Sequence, residues 1–293
     1  MATYDNCYEI ASDVRRGLNE YSTEKVQGTD TSGAYPNAQI LKAINDAQKF
    51  LYHILIKRIR HEFEVHDQDL VFTNSIATYP SNFGRLIQLK NTLGRQVYYI
   101  DVKEKVPTTS VGSNRLFLRK KGIINQLQIE RSGVNETWKI SYIVKPRDIH
   151  WGQASAGAAT SITLDSLYAK KIVDYYNDMF IENITQDWVD TIDDYAVNRV
   201  ATISETAAAS DYYGLVSEIP DSFQHLIAPK AAMLIKDLSP VTQEKVTKGE
   251  NDAWVGLLLE ALRGLEGRED TDYEDVFTDF EPIAPTTGII PLR

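Results

Sequence analysis

The sequence predicts an α+β protein, and three observations support that class. Apolar residues recur with helical spacing over residues 40–55, short runs rich in β-branched and aromatic residues fill residues 62–150, and helical spacing returns after residue 158. Helices, a sheet and further helices in separate blocks are the order of an α+β fold.

Residues 1–60 are predicted to form the N-terminal helical part. A short helix is expected within residues 8–21, followed by the turn-rich stretch TDTSGAYP, whose Pro36 suits the first turn of the next helix. That next helix is amphipathic because its apolar residues are three or four positions apart, at Ile40, Ile44, Ala47, Leu51, Ile54 and Leu55.

Residues 61–150 are predicted to form an antiparallel β domain, a small sheet or a barrel. The runs VFTN, RLIQLK, VYYIDV, RLFLR, LQIER and WKISYIV are separated by turn signals such as SNFG, NTLG and RSGVNE. They indicate about five to seven short strands. Alternating apolar residues at Trp138, Ile140 and Tyr142 indicate one buried and one exposed face.

Residues 151–265 are predicted to form a C-terminal helical bundle that packs with residues 36–60. No Gly or Pro occurs from residue 158 to residue 213, and a helix over residues 165–204 would span ~60 Å, so it either projects or breaks near residues 183–187. Its predicted face comprises Leu164, Tyr168, Ile172, Tyr176, Phe180, Ile184, Trp188, Ile192, Ala196 and Val200. Further helices are expected over residues 221–238 and 242–265.

The composition is that of an ordinary globular protein: 293 residues, 43% hydrophobic and 25% charged, with a net charge of −10. It excludes collagen and a disordered chain. The single cysteine, Cys7, excludes an intramolecular disulfide and favours a reducing compartment. The polar N-terminal residues do not resemble a signal peptide, and no apolar run is long enough to predict a membrane span.

The charge is unevenly distributed along the chain. Residues 1–151 carry 21 basic and 16 acidic side chains, whereas residues 152–264 carry 8 basic and 17 acidic ones. Residues 266–281 hold eight carboxylates and one arginine, and a proline-rich segment follows them. Residues 266–293 are therefore predicted to form an extended arm. Opposite charge on the two halves would let neighbouring subunits meet positive to negative.

Patterns that indicate catalysis or cofactor binding are missing from the sequence. There is no GxxxxGK[ST] loop, no GxGxxG motif after a strand and no GxSxG elbow. His61 and His66 are five residues apart, whereas a helical zinc pair needs four. The acidic tail has Asp275 where a calcium-binding loop needs Gly. The sequence therefore predicts no enzyme, no metal and no cofactor.

Two further patterns concern binding. The basic cluster of Arg115, Arg119, Lys120 and Lys121 is either a phosphate-contacting surface or, as we prefer, a strand with a charged hairpin turn. Aromatic and apolar residues are the candidate interface residues, because Tyr and Trp are enriched in interfaces. They are Tyr168, Tyr175, Tyr176, Trp188, Tyr195, Tyr212, Tyr213, Phe277, Phe280, Ile289 and Ile290.

Four segments, in order, resemble the head-to-tail adaptor (connector) proteins of tailed bacteriophages. PNAQILKAINDAQKFLYHIL resembles that family's first core helix, with its IN.AQ pattern. ATYPSNFGRLIQLKN is similar to a strand, turn and strand passage, from which Ser81 and Asn82 depart. RLFLRKKGIINQLQIERSGVNETWKISYIVKPRDI resembles a closing β-hairpin with an exit at Tyr142, Pro146, Asp148 and Ile149, and SEIPDSFQHLIAPKAAMLI resembles the helix that follows. Residues 154–214 replace a short loop of the family.

The resemblance implies a structural virion protein. Its members form a ring, here expected to contain twelve copies, in the neck beneath the portal; the ring joins capsid to tail or nozzle proteins and surrounds the channel for genomic DNA. The implied location is the virion neck after synthesis in the host bacterial cytoplasm, with no membrane and no sequence-specific DNA binding. Two alternatives stay open: another neck or tail-completion ring protein, and a nucleic-acid-binding or processing protein.

Overall fold

The computed structural model of the chain describes residues 6–20, 35–96, 116–121, 124–129, 133–238 and 246–266. These residues form helices and several small antiparallel sheets, which confirms the predicted α+β class. None of the sheets formed by the described residues closes into a barrel. Of the two architectures predicted for the β domain, open sheets are therefore the one observed.

Helix α1 (Cys7–Gly17) begins at Asn6, which fixes it to a distant part of the chain. The side-chain Oδ1 of Asn6 accepts hydrogen bonds from the backbone N–H groups of Tyr8 and Glu9, at 2.9 and 3.0 Å. This is the usual role of an N-cap residue. The amide of the same side chain donates to Glu182 at 2.8 Å.

Helix α2 (Asn37–Arg58) is the amphipathic helix that the sequence predicts. A 3₁₀ turn, Arg60–Phe63, leads from it into the first strand, so His61 lies in a turn and not in the strand expected there. Of the predicted face, every residue but the half-buried Ile54 is buried, and α2 also buries two amides. The buried residues include Ile40, Ala43, Ile44, Asn45, Ala47, Gln48, Leu51 and Leu55.

Three helices follow near the C-terminus: α3 (Asp221–Gln224), α4 (Ile227–Leu238) and α5 (Lys248–Glu266). Helix α4 packs against both α1 and α2. Helix α5 begins at a capping box, because Thr247 Oγ1 accepts from the Glu250 N–H at 3.2 Å and Glu250 accepts from the Thr247 N–H at 2.8 Å. We call these helices and α1–α2 the helical body.

The first β module, residues 64–144, contains two three-stranded antiparallel sheets with the orders β1-β6-β3 and β2-β5-β4. Its own apolar core is built around Trp138, Ile140 and Tyr142. The predicted runs RLIQLK, RLFLR, LQIER and WKISYIV are confirmed as strands within the described residues, VFTN overlaps β1 only at Val71, and VYYIDV lies outside the described residues. Its strands are β1 (Glu64–Val71), β2 (Ile76–Thr78), β3 (Phe83–Lys90), β4 (Leu116–Lys121), β5 (Ile124–Ile129) and β6 (Thr137–Val144).

The second β module, residues 151–215, overturns the predicted long helix and the helical assignment of this region. It contains two four-stranded antiparallel sheets, β11-β10-β14-β7 and β12-β13-β9-β8. The strands are β7 (Trp151–Gln153), β8 (Ala156–Ala158), β9 (Ser161–Thr163), β10 (Phe180–Asn183), β11 (Trp188–Thr191), β12 (Asp194–Tyr195), β13 (Val200–Thr202) and β14 (Tyr212–Leu215).

The turns of the second β module explain the wrong prediction. Its turns place non-glycine residues in the left-handed region, so the glycines and prolines that usually mark turns are missing. These residues are Asp174, Asp178, Asp187, Arg199 and Ser210, with φ between +56° and +73°. Of the ten residues assigned to a helical face, Leu164, Tyr176 and Ile192 are buried.

The second β module shares one apolar core with the helical body. The predicted packing of the C-terminal helices on residues 36–60 is observed: Trp254 of α5 contacts Phe50 of α2 at a ring distance of 5.9 Å. The Trp254 indole N–H donates to the Leu226 carbonyl at 3.1 Å. No helix in the described part of the chain is long and apolar enough to cross a membrane.

Candidate functional site: a cleft between the two β modules

A cleft of about 720 Å³ lies between the first and the second β module. One wall comes from β1, β2 and the segment after β2, and the other comes from the turns that precede β10. The lining residues are Gln68, Asp69, Leu70, Val71, Thr73, Ile76, Thr78, Tyr79, Pro80, Ser81, Asn82, Gln126, Arg147, Ile172, Val173, Asp174, Tyr175, Asn177 and Asp178.

Arg147 joins the two walls at the base of the cleft. Its side chain is 3% exposed and forms a two-pronged ion pair with Glu218, with Nη2 at 2.7 Å and Nε at 3.1 Å from Oε1. Its Nη1 donates to the carbonyls of Tyr175 and Asn177, at 3.0 and 2.6 Å, and to Ser81 Oγ at 3.1 Å. A planar guanidinium suits this set because it presents several donors in fixed directions.

Helix α2 holds the chain in place at Arg147 and at Ile149, two residues further on. Asn45 accepts from the Ile149 N–H at 2.8 Å and donates to the Ile149 carbonyl at 3.0 Å. Gln48 donates to the Arg147 carbonyl at 2.7 Å and accepts from the Ser217 hydroxyl at 2.5 Å. Buried side-chain amides therefore satisfy the backbone of the strand exit.

A second polar group stiffens the wall from the first β module. The Tyr142 hydroxyl donates to Gln68 Oε1 or to Asn82 Oδ1, at 2.9 and 3.1 Å, and Asn82 donates to Glu218 at 3.3 Å. Burial raises the pKa of Tyr142 to about 12. The hydroxyl is therefore neutral at physiological pH and acts as a hydrogen-bonding group.

The opposite wall is anchored through Tyr175 and Asp148. The Tyr175 hydroxyl accepts from the Asp148 N–H at 3.1 Å, and burial raises its pKa to about 12. Asp148 pairs with Lys49 at 2.7 Å and with Lys170 at 3.1 Å. Burial opposes ionisation of Asp148, but hydrogen bonds from the two lysines outweigh it and lower its pKa.

The rim of the cleft is apolar and acidic. Val71 and Val173, one on each wall, are 62% and 56% exposed. Asp69 pairs with Lys139 at 2.7 Å. Asp174 and Asp178 are exposed, and no base among the described residues forms an ion pair with either of them. The rim therefore suits a partner that is both cationic and apolar.

The polar side chains at the base of the cleft bind one another and the backbone. The Ser81 hydroxyl donates to the Tyr175 carbonyl at 2.9 Å and accepts from Arg147 at 3.1 Å. Arg147 is committed to Glu218 and to backbone carbonyls. Within the residues that the structure describes, no group of three or more His, Cys, Asp or Glu side chains could hold a metal ion.

The candidate interface residues fall into three groups. Tyr176, Tyr195 and Tyr213 are fully buried in the core of their own chain. Tyr168, Tyr175, Trp188 and Tyr212 are half-buried, and of these Tyr175 lines the cleft. Phe277, Phe280, Ile289 and Ile290 lie outside the described residues, as do the acidic arm and the calcium-loop pattern. A role in subunit contacts stays a prediction for the second and third groups.

The buried tyrosines surround His150 in a polar cluster. His150 contacts the hydroxyls of Tyr213 and Tyr176 at 3.0 and 3.2 Å through its two ring nitrogens. The same two hydroxyls accept hydrogen bonds from the backbone N–H groups of Asp165 and Lys170, at 2.7 and 3.1 Å. Burial lowers the pKa of His150 to about 3, so the ring is neutral.

The other residues weighed for chemistry lie away from the cleft. His61 and His66 are exposed, and each lies near a glutamate, at 3.4 and 3.3 Å. Cys7 is fully buried, and burial raises the pKa of its thiol, which makes it a poor nucleophile. The preferred interpretation of the basic cluster is supported, because β4 pairs with β5 as an antiparallel hairpin.

Sequence reasoning missed Arg147 and Glu218. Arg147 lies between Pro146 and Asp148 in the exit segment, so its position in a motif was visible. Its partner is 71 residues further on, beyond the whole second β module. No local pattern marks a pair of that separation.

The sequence was also compared with known proteins, and no protein-family model and no curated protein matches the chain.

Proposed function

We propose that this chain is a structural protein of a tailed bacteriophage, a head-to-tail adaptor (connector). In this proposal twelve copies form a ring in the virion neck, beneath the portal and above the tail or nozzle proteins. The ring surrounds the channel and lets genomic DNA pass without reading its sequence. The protein is made in the cytoplasm of the bacterial host and joins the virion there.

The observation that carries the proposal is that the segments with the adaptor resemblance contact one another. The IN.AQ pattern supplies Asn45 and Gln48, and these two amides hold the backbone of the exit segment at Arg147 and Ile149. Gln48 also accepts from Ser217, the first residue of the segment that leads into α3 and α4. Residues that a weak sequence pattern groups together thus form one hydrogen-bonded framework.

The packing of the helices supports the same framework. Helix α4, within the last of the four segments, packs against α2, within the first. Their contact belongs to the apolar core that includes Ile40, Ile44, Ala231 and Ile235. The second β module begins after the exit segment and ends before α3, so it adds a new surface without interrupting the framework.

The use of polar groups also favours a structural role. Arg147 is the most buried charged residue of the cleft, and its side chain binds Glu218 and two backbone carbonyls. Such a network holds segments in fixed positions. A subunit that has to keep its shape within a ring benefits from that rigidity.

The test is assembly of the full chain with the portal protein of the same phage. We expect rings of twelve copies on the portal, seen by electron microscopy and weighed by native mass spectrometry; a portal from an unrelated phage is the control. Monomers that persist with the portal present would contradict the proposal.

Two other results would replace the proposal with an alternative. Binding to a purified tail protein but not to the portal would assign the chain to another neck or tail-completion ring. Salt-dependent binding to DNA by the free subunit, with no ring in any mixture, would favour the nucleic-acid-binding alternative, because phosphate contacts weaken steeply with salt.

A further inference from the structure

The turn that follows β3, residues 91–95, presents an apolar and a cationic side chain close together. Leu93 is 74% exposed, more than any other large apolar residue that the structure describes. Arg95 is exposed as well and forms no ion pair with the described residues. A single exposed leucine is common on protein surfaces and indicates nothing by itself. Its combination with an exposed cation two residues further on is the informative feature.

The 91–95 turn is held in one shape by its own hydrogen bonds. Asn91 Oδ1 accepts from the N–H groups of Leu93 and Arg95, at 3.0 and 2.9 Å. The Asn91 N–H donates to the Arg95 carbonyl at 3.0 Å, and the Asn91 carbonyl accepts from the Gly94 N–H at 2.9 Å. Gly94 has a φ of +71°, which glycine adopts without strain. The backbone of the turn therefore loses little conformational entropy when the turn binds.

The cleft between the two β modules offers the complementary groups. Val71 and Val173 are exposed on its two walls, and the exposed Asp174 and Asp178 lie on the same wall as Val173. A volume of about 720 Å³ lies within the roughly 300–1,000 Å³ of clefts that enclose a drug-sized molecule, so it has room for a leucine and an arginine side chain. Apolar groups next to two carboxylates match an apolar residue next to a guanidinium.

The acidic wall of the cleft is also fixed before any contact forms. The Asp174 N–H donates to the Tyr195 carbonyl and the Asp178 N–H to the Ile192 carbonyl, both at 2.8 Å. Between these two anchors, Arg147 binds two further backbone carbonyls. The two aspartates are therefore carried by a backbone that is held at several points.

We propose that the cleft of one copy receives the 91–95 turn of a second copy. Leu93 of the second copy then packs between the two exposed valines of the first, and Arg95 binds the two aspartates. The contact joins two different surfaces, so each copy can bind one neighbour through its cleft and another through its turn. Repetition of such a head-to-tail contact closes into a ring when the rotation between copies permits. The inference rests on the proposed function, in which copies of the chain assemble with one another.

The turn does not occupy the cleft of its own chain. It lies beyond β3, and β6 separates β3 from β1, the strand that borders the cleft. Neither Leu93 nor Arg95 lines the cleft. The Thr92 hydroxyl donates to Glu136 at 3.4 Å, which ties the turn to the residues before β6. A basic segment of the portal is the competing occupant, and the experiment has to distinguish the two.

The test uses two charge-reversed full chains. One carries Asp174→Lys and Asp178→Lys in the cleft, and the other carries Arg95→Glu in the turn. We expect each variant alone to assemble about tenfold less than wild type or worse, because like charges then meet. An equimolar mixture of the two should regain assembly, because every contact can then join opposite charges.

A third variant, Leu93→Ser, tests the apolar half of the contact. We expect it to assemble about tenfold less than wild type, because the apolar surface that Leu93 would bury is lost. Its control is Val197→Ser, another exposed apolar residue in a turn, which does not line the cleft. This control should assemble like wild type.

The charge variants have matched controls as well. Asp187→Lys with Glu205→Lys changes two exposed carboxylates of the second β module that do not line the cleft, and Arg85→Glu changes an exposed arginine of β3. Asp187 has a φ of +56°, close to the +60° and +64° of Asp174 and Asp178, so the control repeats the backbone strain of a lysine there. Both controls should assemble like wild type. Circular dichroism and thermal melting establish that all variants are folded.

Assembly is measured by mass photometry with and without the portal. Variants that assemble like their controls, or a mixture that assembles no better than its components, would overturn the inference, while wild-type rings leave the proposed function intact. Cleft variants that form rings but no longer bind the portal would place a portal segment in the cleft and also overturn it. Wild-type pairs that need both surfaces but never grow into rings would support the contact and contradict the proposed function. Wild-type chains that never assemble would overturn both proposals.

Discussion

The first β module uses strands of up to eight residues around an apolar core of its own, whereas the second uses strands of two to four residues and shares its core with the helical body. Long strands leave an alternating pattern that can be recognised in the sequence. Short strands joined by turns bring apolar residues back about every four positions, which imitates a helix. The comparison shows that element length decides how well periodicity predicts structure.

Side chains that accept hydrogen bonds from backbone N–H groups stabilise the turns of the second module, where the strands are short. In the second module, the Asp190 carboxylate accepts hydrogen bonds from the Ser204 and Glu205 N–H groups, at 2.6 and 3.1 Å. Asn183 accepts from the N–H groups of Thr185 and Gln186 in the same way. Side-chain to backbone bonds thus replace the long ladders of the first module.

The largest expected effect concerns the junction that holds the modules together. Arg147→Ala removes the guanidinium that donates to Glu218 and to two backbone carbonyls, and we expect it to lower the free energy of unfolding by about 3–5 kcal/mol. Arg60→Ala removes an ion pair whose arginine is 52% exposed, and should cost at most about 1 kcal/mol. Urea unfolding measures both; equal losses would contradict the assignment of Arg147 as the junction.

A fall in pH should destabilise the second β module, because it favours protonation of His150 in the unfolded state. Its pKa is about 3 in the folded protein and 6.5 when unfolded, so the unfolded state binds the proton more tightly. The stability this provides is complete above pH 6.5 and falls, by up to about 1.4 kcal/mol per pH unit, as the pH drops towards 3.

His150→Gln removes the titrating group, so the loss of stability between pH 6.5 and 4.5 should become smaller than in wild type. Chemical unfolding at several pH values measures the two slopes. The same slope in both proteins would show that His150 does not couple protonation to folding.

Removal of a tyrosine hydroxyl group from the core should lower the stability by an intermediate amount. Tyr213→Phe leaves the Asp165 N–H without its acceptor, which costs about 1–3 kcal/mol. Tyr142→Phe, in the first module, removes a hydroxyl whose partners Gln68 and Asn82 are half-buried and can turn to water. Thermal melting should therefore show the larger loss for Tyr213→Phe, and the reverse order would contradict the contrast between the modules.

The smallest effect concerns the turns that misled the sequence analysis. Asp187 has a φ of +56°, where glycine is strain-free and a β-branched residue is not. We expect Asp187→Gly to change stability by less than about 0.5 kcal/mol, and Asp187→Val to lower it by about 1–2 kcal/mol. Equal effects of the two substitutions would indicate that this turn imposes no left-handed backbone.

Sequence predicted most of the helical body and the first β module, because their elements are long enough to show a period. Ile40, Ile44 and Leu51 of α2 are buried as expected, and LFLR of the predicted run RLFLR lies in β4, which extends to Lys121. Helix α4 lies within the predicted residues 221–238, although a turn after α3 divides that segment. The capping box at Thr247 and Glu250 marks a helix start that periodicity placed several residues earlier.

The cleft could not be predicted, since its walls come from separate parts of the chain. Val71 and Val173 are more than 100 residues apart, and they share a cleft because Arg147 donates to Ser81 on one wall and to two carbonyls on the other. The charge difference was visible: residues 151–215 hold 10 acidic and 3 basic side chains. Which surface presents that charge depends on the strands, and these were misassigned.

Assembly with the portal protein tests the proposed function most directly. Native mass spectrometry weighs the full chain alone and mixed with the portal protein of the same phage. Complexes that hold twelve copies of the chain on the portal are the predicted result. A chain that stays monomeric with the portal present would contradict the account.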